Sequence, residues 1–497
     1  MRRLLGIFLA LTNVTLATFG QTNSSANVRE LSLQDCIELT LKHNLELRFD
    51  RYNPEIQLYT LNGAFGAYDP TFSLSGQHDH NESGSSLVQG SLIIGGSKRD
   101  DNSFTSSLGG SLPWGTTYSL QGTTTDSYGS SGTNSFENSS GSASIRATQP
   151  LLKNFWINNN VLTINVAKNR LKYSELTLKL QVMAKITLLE QAYFKLIYFR
   201  ENVLVQEKAV ELAERLVAEN RKKLEVGTLA PLDLQSAEAQ AATSRAAVIL
   251  ARSQLGTQER VVKQMISDEY SGWAHDELVP TGTLTAQPPI VNLQDSWSKG
   301  LSQRPELVQA KLDIEKSGIQ LKYDHNQLFP ELDVFGTYGY NGNAGEFSGV
   351  FYQIQQRDLP TYTYGGTLTI PLSRTAARNA YKSDKAAREQ FLLALKTLEQ
   401  KIMIDIDNDI GTIRADFDQV HATRAAREYE ESALDAEQKK LESGKSTTYT
   451  VLQVQRDLTT ARGNEIQALD NYNEILSQLS LDEGSTLDRL GIRFEVK

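Results

Sequence analysis

The chain contains two copies of one sequence unit, and this duplication constrains the fold more strongly than any local pattern does. Leu33-Gln34-Asp35 recurs as Leu293-Gln294-Asp295, at an offset of 260 residues (293 − 33). Farther on, Lys222-Lys223-Leu224-Glu225 recurs as Lys439-Lys440-Leu441-Glu442, at an offset of 217 residues (439 − 222). The first copy therefore holds an insertion of 43 residues (260 − 217) ahead of its long helices.

The N-terminus has the layout of a secretory signal peptide. Arg2 and Arg3 precede an apolar stretch from Leu4 to about Leu16, and small and polar residues follow. The stretch is shorter than the roughly 18 apolar residues that a membrane-spanning helix needs, and no other stretch of the sequence reaches that length. We assign residues 1–20 to the signal peptide and expect any membrane crossing to be made by strands.

Charge and motif content exclude several classes of function. The net charge of −9 leaves no basic stripe for nucleic acid. A single cysteine, Cys36, rules out an intrachain disulfide. Nucleophile-elbow, phosphate-loop and zinc-protease motifs are all missing from the sequence, so we expect neither catalytic residues nor a cofactor.

Each copy begins with a helical stretch that gives way to period-two sequence. In the first copy the pattern predicts a helix from about Leu31 to Phe65 and then a strand through Phe72 and Leu74. The second copy alternates over 332–340, and return strands are expected at 143–150 and 362–371. Residues 81–97 and 126–142 are rich in Gly, Ser, Thr and Asn, which predicts long polar loops.

The insertion has an alternating pattern of its own. Phe104, Leu108 and Leu120 alternate with polar residues around the turn Pro113-Trp114-Gly115. This predicts an extra hairpin near 103–125, which gives the chain six strands instead of four. The alternative is a hairpin that folds back as a plug or an outer loop.

Long helices with a seven-residue apolar spacing follow the strands in both copies. Such spacing imposes left-handed coiled-coil packing. The first helix, from about 165 to 224, has a length on the order of 90 Å at about 1.5 Å per residue. Arg427 is the single exception to the first-helix register of the second copy. The apolar register positions are Val182, Leu189, Leu196, Val203, Val210, Val217 and Leu224 in one copy, and Ile406, Ile413, Val420, Leu434 and Leu441 in the other.

A glycine ends each long helix, and the register resumes beyond it. Gly227 and Gly444 suit the left-handed conformation that follows a helix end. Pro231 fits the first turn of the returning helix, and Ser446 or Thr447 can cap its counterpart. We therefore divide the chain into a first repeat (21–279, tip near 227), a linker (280–290) and a second repeat (291–497, tip near 444).

The predicted fold is α+β, with long antiparallel coiled-coil hairpins and β-hairpins. Strands with one apolar face in an exported chain suggest an outer-membrane barrel, because all backbone groups in hydrocarbon must be paired. Four or six strands are too few to close such a barrel. Identical chains must therefore share it, as parts of one oligomeric transmembrane β-barrel.

The chain resembles the TolC-type outer-membrane efflux ducts over nearly its whole mature length. The resemblance rests on the order and duplication of Asn44-Leu45-Glu46-Leu47 and Arg304-Pro305-Glu306-Leu307, on Tyr68-Asp69-Pro70, on Gln149-Pro150-Leu151-Leu152 and on the two glycine turns. It implies a homotrimer in the outer membrane, with the helices in the periplasm. It also implies a passive exit conduit that docks on an inner-membrane pump through a periplasmic adaptor.

Two sets of candidate site residues follow from the resemblance. In the best known member of the family, aspartates on the last hairpin ring the periplasmic entrance; the matching positions here are Thr450 and Gln453. Asp457 and Asp233 are nearby acidic candidates for the same gate and pore lining. The turns match the places where adaptors dock in the family: Val226, Gly227, Thr228, Ser443, Gly444 and Lys445.

Other functions are less well supported by the sequence. Asp405, Asp407 and Asp409 resemble a calcium loop, but the glycine is misplaced and the heptad register continues through them. His78 and His80 share a strand face without an evident third ligand, so no metal site is assigned. A periplasmic coiled-coil scaffold or adaptor that does not span the membrane is the alternative function. It accounts for the heptads but not for the aromatic strands.

Overall fold

A computed structural model describes residues 27–84, 86–88, 92–94, 96–132 and 134–493 of the chain. The predicted signal peptide, residues 1–20, lies outside the described residues. The strands are β1 Val28–Leu31, β2 Thr71–Ser83, β3 Ser86–Val88, β4 Leu92–Ile94, β5 Ser97–Ser111, β6 Thr117–Ser131, β7 Asn134–Pro150, β8 Glu277–Pro280, β9 Glu331–Ala344 and β10 Pro360–Thr369. The helices are α1 Leu33–His43, α2 Leu45–Phe65, α3 Asn159–Glu225, α4 Pro231–Ile266, α5 Leu293–Gln303, α6 Pro305–Gln327, α7 Phe347–Gln356, α8 Thr375–Glu442, α9 Thr448–Asp482 and α10 Thr486–Arg489, with short 3₁₀ turns at Gly66–Tyr68 and Tyr270–Trp273.

The chain forms two compact units that cut across the sequence repeats. The described part of the first unit comprises residues 27–44, 189–286 and 420–470. It holds the turn-proximal parts of the long helices, together with α1 and the parallel pair of β1 and β8. A cluster of apolar side chains from three long helices packs in its interior: Leu216, Leu434, Val451, Leu452 and Leu458.

The second unit comprises residues 45–188, 287–419 and, as far as the structure describes it, 471–493. It contains a six-stranded antiparallel sheet in the order β10-β9-β7-β6-β5-β2. The same unit also contains α2, α5, α6 and the remaining parts of the long helices. Register residues such as Val182, Ile406 and Ile413 are buried in this unit.

The helices depart from the sequence predictions at their beginnings. The predicted helix 31–65 is wrong as one element, because Asn44 adopts an extended conformation between α1 and α2. Ser32 caps α1, and its Oγ accepts a hydrogen bond from the Asp35 N–H at 3.2 Å. The first long helix begins at Asn159, ahead of the predicted 165, and contains 67 residues.

Most strands are longer than predicted, whereas β10 ends at Thr369, ahead of the predicted end at 371. Residues 126–131 and 134–142 are paired along β6 and β7, so the polar loop predicted there is wrong. Polar composition does not prevent pairing here, because the ladder bonds come from the backbone and the side chains stand off both faces. In the first copy, β2 does not pair with the return strand β7; the β5–β6 hairpin lies between them.

Several further elements were not predicted, among them β3, β4 and α7. β3 and β4 pair with each other in a separate small sheet between β2 and β5. In the second copy, α7 interrupts the connection between β9 and β10. The ten residues of α7 lie within the range that the sequence assigned to the β-hairpin and its turn.

Candidate functional site

The first helix turn is held by two backbone hydrogen bonds. The Gly227 N–H donates to Leu224 O and the Thr228 N–H donates to Lys223 O, both at 2.9 Å. Gly227 has a φ of +74°, a conformation that a side chain would strain. Val226, beside it, is 72% exposed. The hydrogen-bonded turn therefore presents an exposed apolar side chain at its tip.

The second helix turn repeats this geometry. Gly444 has a φ of +72°, its N–H donates to Leu441 O at 3.2 Å, and the Lys445 N–H donates to Lys440 O at 2.8 Å. The hydroxyl of Thr447 accepts from the Thr450 N–H at 3.3 Å and thereby caps α9. Ser443, Gly444 and Lys445 are exposed. Both predicted tips are thus built by the same capping motif.

The four gate candidates occupy different environments in the first unit. Gln453 and Asp457 are exposed and lie one helical turn apart on α9, opposite the buried Val451 and Leu458. Thr450 is half-buried, and its hydroxyl lies 2.9 Å from that of Thr447. Asp233 is half-buried in the first turn of α4. The exposed face of α9 therefore carries two of the four candidates.

One face of the sheet is apolar across all six strands. A single row of mutually opposed residues, all exposed, crosses the sheet from edge to edge: Phe72, Leu108, Leu120, Ile145, Tyr338 and Tyr362. Exposed apolar side chains that lie directly opposite one another along such a row need an apolar environment. This face is suited to lipid.

The other face of the sheet is polar at the same level. The alternate residues form the row Ser73, Ser107, Gln121, Ser144, Gly339 and Thr361. Neighbouring hydroxyls on this face bond across strands: Ser73 Oγ lies 2.7 Å from Ser107 Oγ, and Thr123 Oγ1 lies 2.9 Å from Ser142 Oγ. Apolar-out and polar-in alternation is the pattern of a barrel around an aqueous lumen.

Among the described strand residues of the apolar face, the charged side chains lie toward one end, and Arg357, which follows the strand β9 in the chain, lies beside Tyr338 and Tyr340. His80 Nδ1 lies 2.5 Å from Asp100 Oδ1, and His78 Nδ1 lies 2.8 Å from Asn102 Oδ1. The histidines are thus engaged with side chains of the neighbouring strand. Within the described ranges, no group of three or more His, Cys, Asp or Glu side chains is placed to hold a metal ion.

None of the helices that the structure describes is long and apolar enough to span a bilayer.

A carboxylate pair lies in the second unit and includes Asp409, which the sequence offered only as part of a poorly matching calcium loop. Asp409 of α8 is buried beside Asp482 of α9, and Arg304 Nη1 lies 3.3 Å from Asp482 Oδ1. Burial, and then the neighbouring Asp482, raise the pKa of the Asp409 carboxyl to about 8. Since Asp409 falls between register positions of a heptad pattern, only the packed structure reveals its burial.

Comparison with known proteins gives the family. The sequence profile described as "Outer membrane efflux protein" matches residues 114–267 and 297–481. The efflux protein BepC of Brucella suis is 23% identical over 363 residues, which cover 71% of this chain and 74% of BepC. The outer membrane protein TolC of Escherichia coli is 24% identical over 301 residues, which cover 58% of this chain and 59% of TolC.

Solved structures share the fold. The outer membrane channel CmeC of Campylobacter jejuni superposes with a TM-score of 0.68 at 14% identity, over 92% of this chain and 88% of CmeC. VceC of Vibrio cholerae gives a TM-score of 0.67 at 15% identity, over 91% of this chain and 96% of VceC. The chain belongs to the outer membrane efflux protein family, and it is a TolC-type, non-enzymatic exit channel of the outer membrane with its helical part in the periplasm.

Proposed function

We propose that the channel is a homotrimer in which each chain supplies six strands to one eighteen-stranded barrel. In the described sheet, β2 and β10 are the edge strands, each paired on one side. They run in opposite directions, since β2 leads away from α2 and β10 leads toward α8. The β2 edge of one copy can therefore pair with the β10 edge of the next in an antiparallel ladder, which removes every open edge.

The six-stranded sheet, apolar on one face and polar on the other, carries the proposal. A soluble scaffold would leave the apolar row from Phe72 to Tyr362 in water. Outer-membrane lipid covers this row in a barrel, and the serine-rich face then lines the exit path.

The two-repeat organisation, 21–279 and 291–497 around the linker 280–290, is proposed for the same assembly. The elements of the two halves correspond: α1 and α5 begin at Leu33 and Leu293, and α4 and α9 begin at Pro231 and Thr448. These starts keep the two sequence offsets of 260 and 217 (293 − 33 and 448 − 231). Two copies per chain let a trimer present six similar helix hairpins.

The hairpin tips are the proposed docking points for a periplasmic adaptor, which connects the channel to an inner-membrane pump. Support comes from the exposed Val226 and from the two hydrogen-bonded turns at Gly227 and Gly444. The pump supplies the energy, so the channel acts as a passive conduit without a cofactor. Asp233, Thr450, Gln453 and Asp457 are the proposed lining of its periplasmic gate.

The assembly state and the export role can be tested together. We expect the full-length protein in the outer-membrane fraction, with a native mass in detergent of three chains and a gel mobility that changes on heating. Cells that carry its own pump and adaptor but lack this channel should regain export when it is reintroduced. A water-soluble monomer that restores export would refute the shared barrel while leaving the export role intact.

Docking at the tips needs a separate variant. Val226→Asp places a charge on the apolar tip and should reduce export while the trimer still forms. Tyr270→Asp places the same charge on another exposed side chain, in a 3₁₀ turn away from the tips in sequence, and serves as the control. Equal export by both variants and the wild type would exclude the first tip from docking.

A further inference from the structure

The short helix α7 lies on the apolar face of the sheet. Its central residue Val350 is fully buried. A Cβ added at Gly141 of β7 would lie 2.7 Å from Val350 Cγ1, and one added at Gly342 of β9 would lie 2.6 Å from Val350 O. These two glycines let the helix backbone approach the strands closely.

Contacts at both ends of α7 fix it to this face. The Phe347 ring packs edge-on against Phe104 of β5, with ring centroids 6.1 Å apart. The Asn343 N–H donates to Gln353 Oε1 at 2.8 Å. Phe104, Gly141 and Gly342 point to the same face as the row from Phe72 to Tyr362, because they differ from members of that row by an even number of residues on the same strands.

The outward side of α7 is aromatic and uncharged. Phe351 is 51% exposed and Tyr352 is 63% exposed. The helix sequence contains no Asp, Glu, Lys or Arg; Glu346 precedes it, and Arg357 and Asp358 follow it. Exposed aromatic rings between polar residues are typical of the aromatic belts found where membrane proteins meet the lipid–water interface.

The level of α7 on the sheet coincides with a change in side-chain chemistry. The apolar rows lie between the level of α7 and the start of β2. Farther along the same strands, on the same face, come His80 beside Asp100 and Lys98 paired with Glu82 at 2.9 Å. α7 therefore lies at the boundary between the segment suited to hydrocarbon and the segment suited to water.

We propose that α7 is an interfacial anchor that inserts Phe351 and Tyr352 into the outer leaflet of the outer membrane, at the border between acyl chains and headgroups. Lipid is the occupant because this surface continues the lipid-facing rows of the sheet. α7 packs on β6, β7 and β9 and reaches β5 through Phe347, so its seat is formed by strands of its own chain. The anchor fixes the depth of the barrel in the membrane, in the way aromatic girdles do. The inference goes beyond the export role and rests only on the outer-membrane location.

Site-directed spin labelling can test this placement in the full-length protein, reconstituted in phospholipid vesicles. Cys36 is the only cysteine, so Cys36→Ser provides a background for single labels. Labels are placed by Phe351→Cys and, independently, by Tyr352→Cys. Phe72→Cys, on the apolar row, is the lipid control, and Glu137→Cys, exposed on the same face among the polar rows, is the water control.

The readout is the ratio of collision rates with dissolved oxygen and with a water-soluble nickel chelate. At 351 and 352 we expect a ratio several-fold above that at 137 and approaching that at 72. Ratios equal to that at 137 would overturn the proposal, as would spin–spin broadening that shows contact with a second copy. Heat-modifiable gel mobility of each labelled protein confirms that the assembly is intact before the ratios are compared.

Discussion

Arg427 Nε donates a hydrogen bond to Glu465 Oε2 at 2.5 Å, and this contact joins the polar register position of α8 to the polar register position of α9. Position 465 falls in the seven-residue spacing between Leu458 and Tyr472, as 427 does between Val420 and Leu434. The pair is flanked by Arg424, which donates to Glu465 at 3.0 Å, and by Glu431, which accepts from Arg427 at 2.9 Å. The two charged residues that interrupt the apolar heptad positions of α8 and α9 therefore pair with each other.

Replacing one member of this pair should destabilise the protein more, per substitution, than replacing both members together. Arg427→Leu and Glu465→Leu each leave a largely covered charge with one fewer partner, so we expect each to lower the free energy of unfolding by about 1–3 kcal/mol. The double variant restores an apolar seam and should be less destabilised than the sum of the two. Thermal melting in detergent, evaluated as a double-mutant cycle, gives the coupling energy.

The exposed pair of Arg245 and Glu214, 2.8 Å apart on the other hairpin, is the matched control for that cycle. Its coupling should fall within about 1 kcal/mol of zero, as for surface ion pairs in general. Additive effects of Arg427→Leu and Glu465→Leu would show that the register pair does not act as a unit.

Asp409 should make the stability of the protein depend on pH. Its carboxyl has a pKa of about 8 in the folded chain and about 3.9 in an unfolded chain, so the folded state holds the extra proton between these values. The associated stability is fully present below about pH 4 and is lost as the pH rises through 8. Asp405, Asp482 and Arg304 are the charged groups around it. Asp409→Asn should flatten the decline of the melting midpoint between pH 5 and pH 8.

Asp407→Asn supplies the comparison for that titration, because Asp407 is exposed on the same helix. It should keep the pH dependence of the wild type. Parallel melting curves for Asp409→Asn and the wild type would mean that Asp409 is ionised in the folded protein.

Gly342 should be intolerant of a side chain because α7 covers it. Gly342→Ala places a Cβ against Val350, which forces the helix away, and overpacking of this kind costs about 1–3 kcal/mol. Gly336, on the same strand, has no heavy atom within 4 Å of the equivalent Cβ position. Melting of Gly336→Ala should match the wild type or exceed it slightly; equal losses in both variants would argue that α7 is not seated on β9.

The gate proposal predicts a change in ion selectivity. If Asp233 and Asp457 line the periplasmic entrance, a trimer holds three of each, and their negative charge favours cations. Asp457→Asn and Asp233→Asn should each lower the cation-to-anion permeability ratio in planar bilayers. Asp488→Asn removes the same charge from an exposed position on α10 and should leave the ratio unchanged. If none of the three substitutions changes the ion selectivity, neither Asp233 nor Asp457 lines the gate.

The repeats and heptads allowed much of the fold to be predicted. The glycine turns at 227 and 444 adopt the expected left-handed conformation, because both the residue type and the end of the heptads point to the same place. The apolar row through Phe72 and Tyr338 was visible as period-two alternation. These features are local in sequence, so local patterns could reveal them.

Features that depend on distant partners were not predictable. The polar stretch 134–142 was expected to form a loop, yet backbone bonds to β6 make it a strand. α7 was missed because its apolar residues fit a continuing strand as well as a helix, and its seat depends on Gly141, some 200 residues earlier. Arg427 appeared to break the register until Glu465 was found opposite it.

The diameter of the barrel shows whether each of three chains contributes six strands to its wall. Deletion of residues 85–131 removes β5 and β6, and it leaves β2 and β7 to form a hairpin through the glycines at 84 and 132. Because barrel diameter grows roughly linearly with strand number, electron-microscopic projections along the trimer axis should show the deleted barrel at about two-thirds of the full-length diameter. Equal diameters for the two proteins would contradict the account, since they would place the β5–β6 hairpin outside the barrel wall.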